Sequence, residues 1–200
     1  MADYNNNRVV RLDKNLNYLS ELTSEWDEPY DFEQVTSISL SSQNELFILE
    51  AGVQKIVKFD RSSQPIITFG GIYETYGQLL EPHQITIGNK QNIFVTEPAQ
   101  GVIVVYDYLG NFLQNIEHPD LNRPTGVFFG DSHLFVVNKN TAEVFVFNAR
   151  YQFVERLSFI LHVKSIADIV VKKNVKTNHY MLYALTPEQC WEFDLSQKND

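Results

Sequence analysis

RVVRLDKNLNYL, which begins at Arg8, returns in altered form as KIVKFDRSSQPI from Lys55, VIVVYDYLGNFL from Val102 and EVFVFNARYQFV from Glu143. Each stretch joins two runs rich in β-branched and aromatic residues through a short polar turn, which is the pattern of a β-hairpin. The first run of each hairpin closes on an acidic or amide residue. These closing residues are Asp13, Asp60, Asp107 and Asn148, with Asp194 in the same place in a weaker fifth unit. The sequence is therefore internally repeated.

The repeat has a regular period. Successive closing residues are 47, 47, 41 and 46 positions apart. A second marker lies ten positions upstream of the first, at Asp3, Glu50, Glu97 and Asn138. Periods of about 40 to 50 residues with four strands each are typical of propeller blades, and no stretch shows the 3.6-residue periodicity of an amphipathic helix. We therefore predict an all-β fold, a β-propeller of four-stranded antiparallel blades, with four to five blades present.

The same markers divide the chain into units. They predict a partial blade over residues 1–22, full blades over 35–70, 82–117 and 124–158, and a final partial blade over 166–195. Third strands are predicted at Lys55–Phe59, Val102–Tyr106 and Glu143–Phe147, and the innermost strand of the third unit at His83–Ile87. Two strands are expected in the first unit, three in the last and 17 in all.

The two end units are incomplete in this pattern. The first unit opens midway through the motif, so we expect a chain that lacks the first strands of a larger, six-bladed parent. Alternatively, a second copy covers the open blade edges, because unpaired strand edges favour pairing with another chain. Self-association is therefore a second expectation.

Composition limits the classes of function. The chain is 44% hydrophobic and 13% aromatic, which is typical of a globular protein. Its net charge of -9 disfavours binding to nucleic acid or to an anionic membrane. The single cysteine, Cys190, excludes an internal disulfide, and its apolar neighbours predict a buried, inert thiol. No apolar run approaches the roughly 18 residues of a membrane span, so a soluble chain without membrane insertion is expected.

Two segments carry a more specific pattern, ADYNNNRVVRLDKNLNYL from Ala2 and LNRPTGVFFGDSHLFVVNKNTAEVFVFN from Leu121. They combine an Asn-rich, Asp-containing turn and an Arg-Val strand with a Pro-x-Gly-Val strand start. This pattern resembles the NHL-repeat group of β-propellers. The second and third units depart from it, with Glu50-Ala51-Gly52-Val53 and Glu97-Pro98-Ala99-Gln100 in the turn.

The resemblance has implications for function. It implies a bacterial NHL-repeat domain protein with a non-catalytic binding or scaffold role and a location outside the cytoplasm. RNA recognition, which some NHL-repeat proteins perform, is disfavoured by the acidic balance of this chain.

One face of the predicted propeller collects the loops where ligands of such folds usually bind. It carries the starts of the innermost strands and the loops between second and third strands. The candidate binding residues on this face are His83, Gln84, Glu50, Glu97, Asn138, Thr36, Thr125 and Asp168. We expect them to take a protein, peptide or glycan ligand.

His83, Glu50 and Glu97 allow two interpretations. If they converge at the channel, imidazole and carboxylate groups would suit zinc or calcium and would activate water, which gives a metal-assisted hydrolase or lyase as the alternative function. Alternatively, acidic residues repeated at one position of successive turns bond the backbone amides of their own turn. Only one histidine, His83, starts an innermost strand, and zinc enzymes usually have three protein ligands. We therefore predict no catalytic residue, metal or cofactor, with a bound metal as the alternative.

Two further groups of residues have open roles. The connectors between units carry the aromatic residues Trp26, Tyr30, Tyr73 and Tyr76. Aromatic residues are enriched at binding hot spots, and they also cover the tops of blades, so recognition and packing both stay open. The closing Asp residues recur at equivalent strand ends, which predicts a turn role rather than paired catalytic carboxylates.

Overall fold

A computed structural model of the chain describes residues 1–23, 32–158 and 164–196. Its strands form five antiparallel sheets, arranged as the blades of a β-propeller, so the predicted all-β fold is confirmed. The blades contain, in order, β1 (Ala2–Asp3), β2 (Arg8–Leu12) and β3 (Tyr18–Leu22); β4 (Val35–Leu40), β5 (Leu46–Glu50), β6 (Lys55–Phe59) and β7 (Pro65–Gly70); β8 (Ile85–Ile87), β9 (Ile93–Glu97), β10 (Val102–Tyr106) and β11 (Phe112–Ile116); β12 (Pro124–Gly130), β13 (His133–Asn138), β14 (Glu143–Phe147) and β15 (Phe153–Ser158); and β16 (Asp168–Lys173), β17 (Tyr180–Leu185) and β18 (Cys190–Asp194). In these ranges, no helix has the length and apolar character needed to traverse a bilayer.

The first blade has one strand more than the sequence predicted. Ala2 pairs with Val9 and Asp3 pairs with Arg8, so β1 extends the sheet of β2 and β3. The described strands therefore number 18 rather than 17. The prediction was wrong because only two strand residues precede the Asn-rich turn, too few to show an alternating pattern.

The middle strands of the blades are apolar at successive positions. All five residues of β9 and all five of β10 are buried. A strand that is covered on both faces needs apolar side chains on both faces, and here the neighbouring blades provide the cover. The innermost strands follow one another, since β8 contacts β4 and β12, and β12 contacts β16. This order brings the starts of the innermost strands together.

The closing Asp and Asn residues organise the turn after each third strand. Asp107 Oδ1 accepts hydrogen bonds from the N–H groups of Leu109 and Asn111, both at 2.9 Å. The same pattern recurs at Asp13, Asp60 and Asn148. Gly110, three positions after Asp107, has a φ of +85°, as in a type I turn followed by a left-handed residue. The predicted turn role is confirmed.

In the equivalent turn of the fifth blade, the protonation of Asp194 makes the stability of the fold depend on pH. The Ser196 hydroxyl donates to Asp194 Oδ1 at 2.6 Å, and His179 Nδ1 lies 2.9 Å from Asp194 Oδ2. These hydrogen bonds, that of Ser196 first, lower the pKa of Asp194 from 3.8 to about 2. Because the folded-state pKa is the lower one, the stabilising contribution of Asp194 is complete above pH 3.8 and is lost as pH falls toward the lower value.

We therefore expect Asp194→Asn to flatten the dependence of the urea midpoint on pH between these two pKa values. Urea denaturation of both proteins across this range measures the effect. Parallel losses of stability in the variant and the wild type would contradict it.

Cys190 is exposed, contrary to the buried thiol that the sequence predicted. Successive side chains of a strand point to opposite faces of the sheet. Trp191 and Phe193 of β18 pack against the core cluster between the fourth and fifth blades, so Cys190, one position before Trp191, lies on the other face. The prediction that the neighbours of Cys190 belong to the core is correct. The prediction for Cys190 itself is wrong because the alternation of the strand turns its side chain away from the core.

Candidate functional site

A buried polar side chain ends the second strand of each complete blade. These residues are Glu50, Glu97 and Asn138, and each is 0% exposed. Each accepts a hydrogen bond from the connector that leads into its own blade, so we call the three side chains the connector latches. Glu50 Oε2 accepts from the N–H of Glu33 at 2.8 Å. Asn138 Oδ1 accepts from the N–H of Arg123 at 3.1 Å. The latches fix each connector before the chain enters the innermost strand.

Glu97 accepts three backbone hydrogen bonds, two of them from the connector. Its Oε2 accepts from the N–H of Leu80 and its Oε1 from the N–H of Glu81, both at 2.8 Å. Oε1 also accepts from Ala99 of its own turn, at 3.3 Å. Burial raises the pKa of Glu97, and the three amide donors offset this shift only in part. The predicted bonding to backbone amides is confirmed for Glu97, but its shortest bonds go to the connector rather than to its own turn.

Gln84 joins three blades at the channel. Its Nε2 donates to Asp168 Oδ1 of the fifth blade at 2.9 Å. Its Oε1 accepts from the N–H of Val127 in the fourth blade, also at 2.9 Å. Asp168 Oδ1 accepts a second bond, from the N–H of Ile169 at 2.8 Å. The carboxylate of Asp168 is thus held in a fixed orientation at the start of β16.

His83 lies beside this network. Its Nδ1 is 3.2 Å from the carbonyl oxygen of Thr125. A carbonyl only accepts, so Nδ1 carries the proton in this contact, and in the neutral ring Nε2 is left as an acceptor. Burial lowers the pKa of His83, against the opposing effect of the Thr125 carbonyl, and Lys139 adds to the decrease. His83 is therefore neutral at pH 7.

Thr125 supplies a further polar group. Its carbonyl oxygen accepts from the Thr96 hydroxyl at 2.7 Å in addition to His83. The Thr125 side chain is buried, and its hydroxyl oxygen has no hydrogen-bond partner among the described residues. A buried hydroxyl without a partner is unfavourable by about 1 to 3 kcal/mol, so a polar ligand atom that reached it would be bound more tightly.

The structure divides the predicted site residues into two groups. His83, Gln84, Thr125 and Asp168 form one contiguous network across three blades. Glu50, Glu97 and Asn138 serve as connector latches, and the Thr36 hydroxyl bonds the carbonyl of Leu49 within the second blade at 3.3 Å. Within the described ranges, no group of three or more His, Cys, Asp or Glu side chains is placed to hold a metal ion.

Sequence reasoning missed two members of the site. The Thr96 hydroxyl links the third and fourth blades through Thr125, and Ser37 Oγ accepts from the N–H of Ile85 at 3.3 Å, which links the second and third. Thr96 follows three apolar residues in β9, whereas Ser37 lies in β4 beside Thr36 and near Ser39, so only Thr96 breaks an apolar pattern. That break in the apolar pattern was the available signal.

The aromatic residues of the connectors and two further histidines are not among the described residues of this network. His118 packs its ring against Phe145 and Phe153, at centroid distances of 5.2 and 4.3 Å. Trp26, Tyr30 and His162 lie outside the described residues. Tyr73 and Tyr76 are 94% and 73% exposed.

Comparison with solved structures establishes the fold. Virginiamycin B lyase from Staphylococcus aureus superposes with a TM-score of 0.67 at 14% identity, over 98% of this chain and 66% of the lyase. The catalytically inactive His-to-Ala variant of that lyase with quinupristin gives 0.66 at 14% identity, over the same shares. A protein of unknown function from Bacteroides caccae gives 0.69 at 13% identity, over 94% of this chain and 72% of that one.

The chain is a five-bladed β-propeller. It spans just under two thirds of the length of the lyase. At identities this low, the likeness establishes the fold alone. No protein-family model matches the sequence, and no curated protein matches it.

Proposed function

We propose that this protein is a non-catalytic binding or scaffold propeller that presents its loop-rich face to a protein, peptide or glycan. The observation that carries the proposal is the set of connector latches. Glu50, Glu97 and Asn138 accept hydrogen bonds from the connector backbone through buried side chains, so the described ends of three connectors on this face are held in place without a ligand. A preorganised surface loses less conformational entropy on binding.

The chemistry of the channel supports the same role. Two of the carboxylates on which the alternative depends, those of Glu50 and Glu97, are buried and accept backbone N–H groups. His83 and Asp168 offer a neutral imidazole and an oriented carboxylate, and the Thr125 hydroxyl, which has no partner among the described residues, is buried in the same network. A few fixed polar groups of this kind give a binding site its specificity.

The NHL-repeat interpretation belongs to this proposal. It rests on the Asn-rich turn after Ala2 and on the Pro-x-Gly-Val strand start at Pro124. With it we propose a location outside the cytoplasm, as that resemblance implies.

The alternative is a metal-assisted hydrolase or lyase at the channel. One observation favours it, the likeness in fold to a virginiamycin B lyase, of which a His-to-Ala variant is catalytically inactive. His83 and Asp168 are the residues of this chain that would take part. Both are free of the connector latches. Gln84 follows His83 in the sequence and donates a hydrogen bond to Asp168.

One variant separates the two functions. The purified protein is screened against peptide and glycan arrays, and the ligands found are measured again by calorimetry with His83→Ala. We expect this substitution to weaken binding about tenfold, as for a hot-spot residue. His133→Ala is the matched control, because His133 lies at the other end of its blade, where β12 meets β13, and it is expected to leave binding unchanged.

In parallel, wild type and His83→Ala are incubated with quinupristin and divalent cations, and the products are analysed by mass spectrometry. Turnover that His83→Ala abolishes would establish the alternative. Ligands whose binding is insensitive to His83→Ala would overturn the proposed site.

A further inference from the structure

The connector between the second and third blades, residues 71–81, is held on several sides. The Tyr106 hydroxyl donates to the carbonyl of Gly77, and Leu79 is 0% exposed in the core. Glu97 holds the end of the connector. The exposed Tyr73 and Tyr76 are therefore carried on an ordered backbone.

A cleft of about 350 Å³ lies between this connector and the outer parts of the two blades. Its walls are Thr68, Phe69, Gly70, Glu74, Tyr76, Tyr106, Gly110, Asn111 and Phe112. Tyr76 stacks on Phe112 with ring centroids 6.3 Å apart and an interplanar angle of 13°, and Phe69 meets Tyr106 edge-on at 5.1 Å. The cleft is thus lined by two aromatic pairs and is of a size to take one side chain of a partner.

The charge of the cleft is negative. Among the described residues that line it, Glu74 is the one that carries a charge. Burial raises the pKa of Tyr106, and the negative charges of Glu97 and Glu74 add to that increase. The whole chain carries a net charge of -9. The faces of aromatic rings also attract cations, so carboxylate and rings favour the same kind of ligand.

The chain itself holds a cation in this way at the junction of the same two blades. Lys58 Nζ lies 3.6 Å from the ring centroid of Tyr108 and 5.5 Å from that of Phe47. Glu45 Oε2 completes the arrangement at 3.4 Å. Lys58 is only 5% exposed, so rings and a carboxylate hold an ammonium group in the interior. The Glu74 cleft presents the same chemistry to solvent.

We propose that the cleft binds an arginine side chain of a basic protein or peptide, with the guanidinium stacked on Tyr76 and paired with Glu74. Arginine fits better than lysine because its planar, weakly hydrated group stacks on rings and pairs with a carboxylate through two hydrogen bonds. The inference rests on the proposed function in one respect, that the partner is a protein or peptide.

The test is an NMR titration of the full chain with a blocked Gly-Arg-Gly tripeptide. We expect shifts at residues 74–77 and at Asn111 and Phe112, with a dissociation constant on the order of 1 mM for a single side chain. Glu74→Gln and Tyr76→Ala are each expected to weaken binding about fivefold. A Gly-Lys-Gly peptide is expected to bind more weakly.

Matched controls come from the same connector. Glu81→Gln changes a carboxylate that pairs with Arg123 outside the cleft, at 3.0 Å, and Tyr73→Ala removes an aromatic ring that does not line it. Both are expected to leave the affinity unchanged. Shifts confined to His83 and Asp168 would overturn this inference and leave the proposed function intact. The absence of any saturable shift, or binding that survives both cleft substitutions, would also overturn it.

Discussion

Replacing Glu97 by alanine is expected to lower the free energy of unfolding by about 3 kcal/mol. The carboxylate accepts from the N–H groups of Leu80 and Glu81 at 2.8 Å, and from that of Ala99 at 3.3 Å. Alanine supplies no acceptor, and its small side chain leaves a void where Glu97 was 0% exposed. Chemical denaturation monitored by tryptophan fluorescence measures the loss.

Two variants test whether the loss comes from the latch. Glu97→Gln keeps one acceptor oxygen and is expected to lose about half as much. Glu81→Ala removes an exposed carboxylate but keeps the backbone N–H of residue 81 that bonds Glu97, so it is expected to change stability by about 0.5 kcal/mol or less. If Glu81→Ala were as unstable as Glu97→Ala, any substitution near the end of the connector would destabilise the fold. The loss in Glu97→Ala could then not be assigned to the hydrogen bonds of its side chain.

The protonation of Glu97 makes its contribution to the free energy of unfolding depend on pH. Its pKa is raised in the folded chain above 4.5, the value for the unfolded chain. The folded state therefore binds this proton more tightly, so the contribution of Glu97 is greatest below pH 4.5 and decreases as pH rises through the raised pKa. The difference in stability between wild type and Glu97→Gln is expected to decrease in the same direction.

Replacing Leu79 by alanine is expected to lower the free energy of unfolding by about 3 kcal/mol as well. Leu79 is 0% exposed and packs in the core cluster formed between the second and third blades. Its Cδ1 lies 2.8 Å from the place that a Cβ on Gly70 would occupy, so the side chain fills its site closely. Removing three carbons there leaves a cavity that the surrounding strands do not fill.

The neighbouring residue provides the control. Leu80 is 42% exposed, so Leu80→Ala is expected to cost about 0.5 kcal/mol or less. Both variants are compared by thermal and urea denaturation. Equal losses at the two positions would show that Leu79 does not anchor the connector. Leu79→Ala is also expected to weaken the arginine peptide, because it loosens the segment that carries Glu74 and Tyr76.

The parts of the fold that depend on local pattern were accessible from sequence. The structure places β6, β10 and β14 at the predicted residues because these strands are covered on both faces and are mostly apolar, without interruption in β10, after Glu143 in β14, and with Lys58 as an interior break in β6. Their turns close on Asp or Asn, whose bonds reach only two and four positions ahead. Both signals lie within a dozen residues.

The start of the innermost strand was predicted less well. The sequence placed it at His83, whereas β8 begins at Ile85. The N–H of Gln84 bonds the hydroxyl of Thr96 rather than a backbone carbonyl, which interrupts the ladder. The replacement of a backbone acceptor by the Thr96 hydroxyl depends on where Thr96 lies in space, which the sequence pattern does not show.

The candidate sites depend on contacts far apart in sequence. Gln84 and Asp168 are 84 positions apart and meet only after the fourth blade has been built between them. The Glu74 cleft is likewise formed by residues of two blades and a connector, among them Phe69, Tyr76 and Phe112. The aromatic residues of the connectors left recognition and packing both open, and no local pattern shows which rings will face one another.

The connector latches also bear on how the chain folds. Each latch joins residues that are only 15 to 17 positions apart, within a single blade. Closing a loop of that length loses little chain entropy, and local contacts form faster than distant ones. We therefore expect each of the three complete blades to fix its leading segment before it docks on its neighbour.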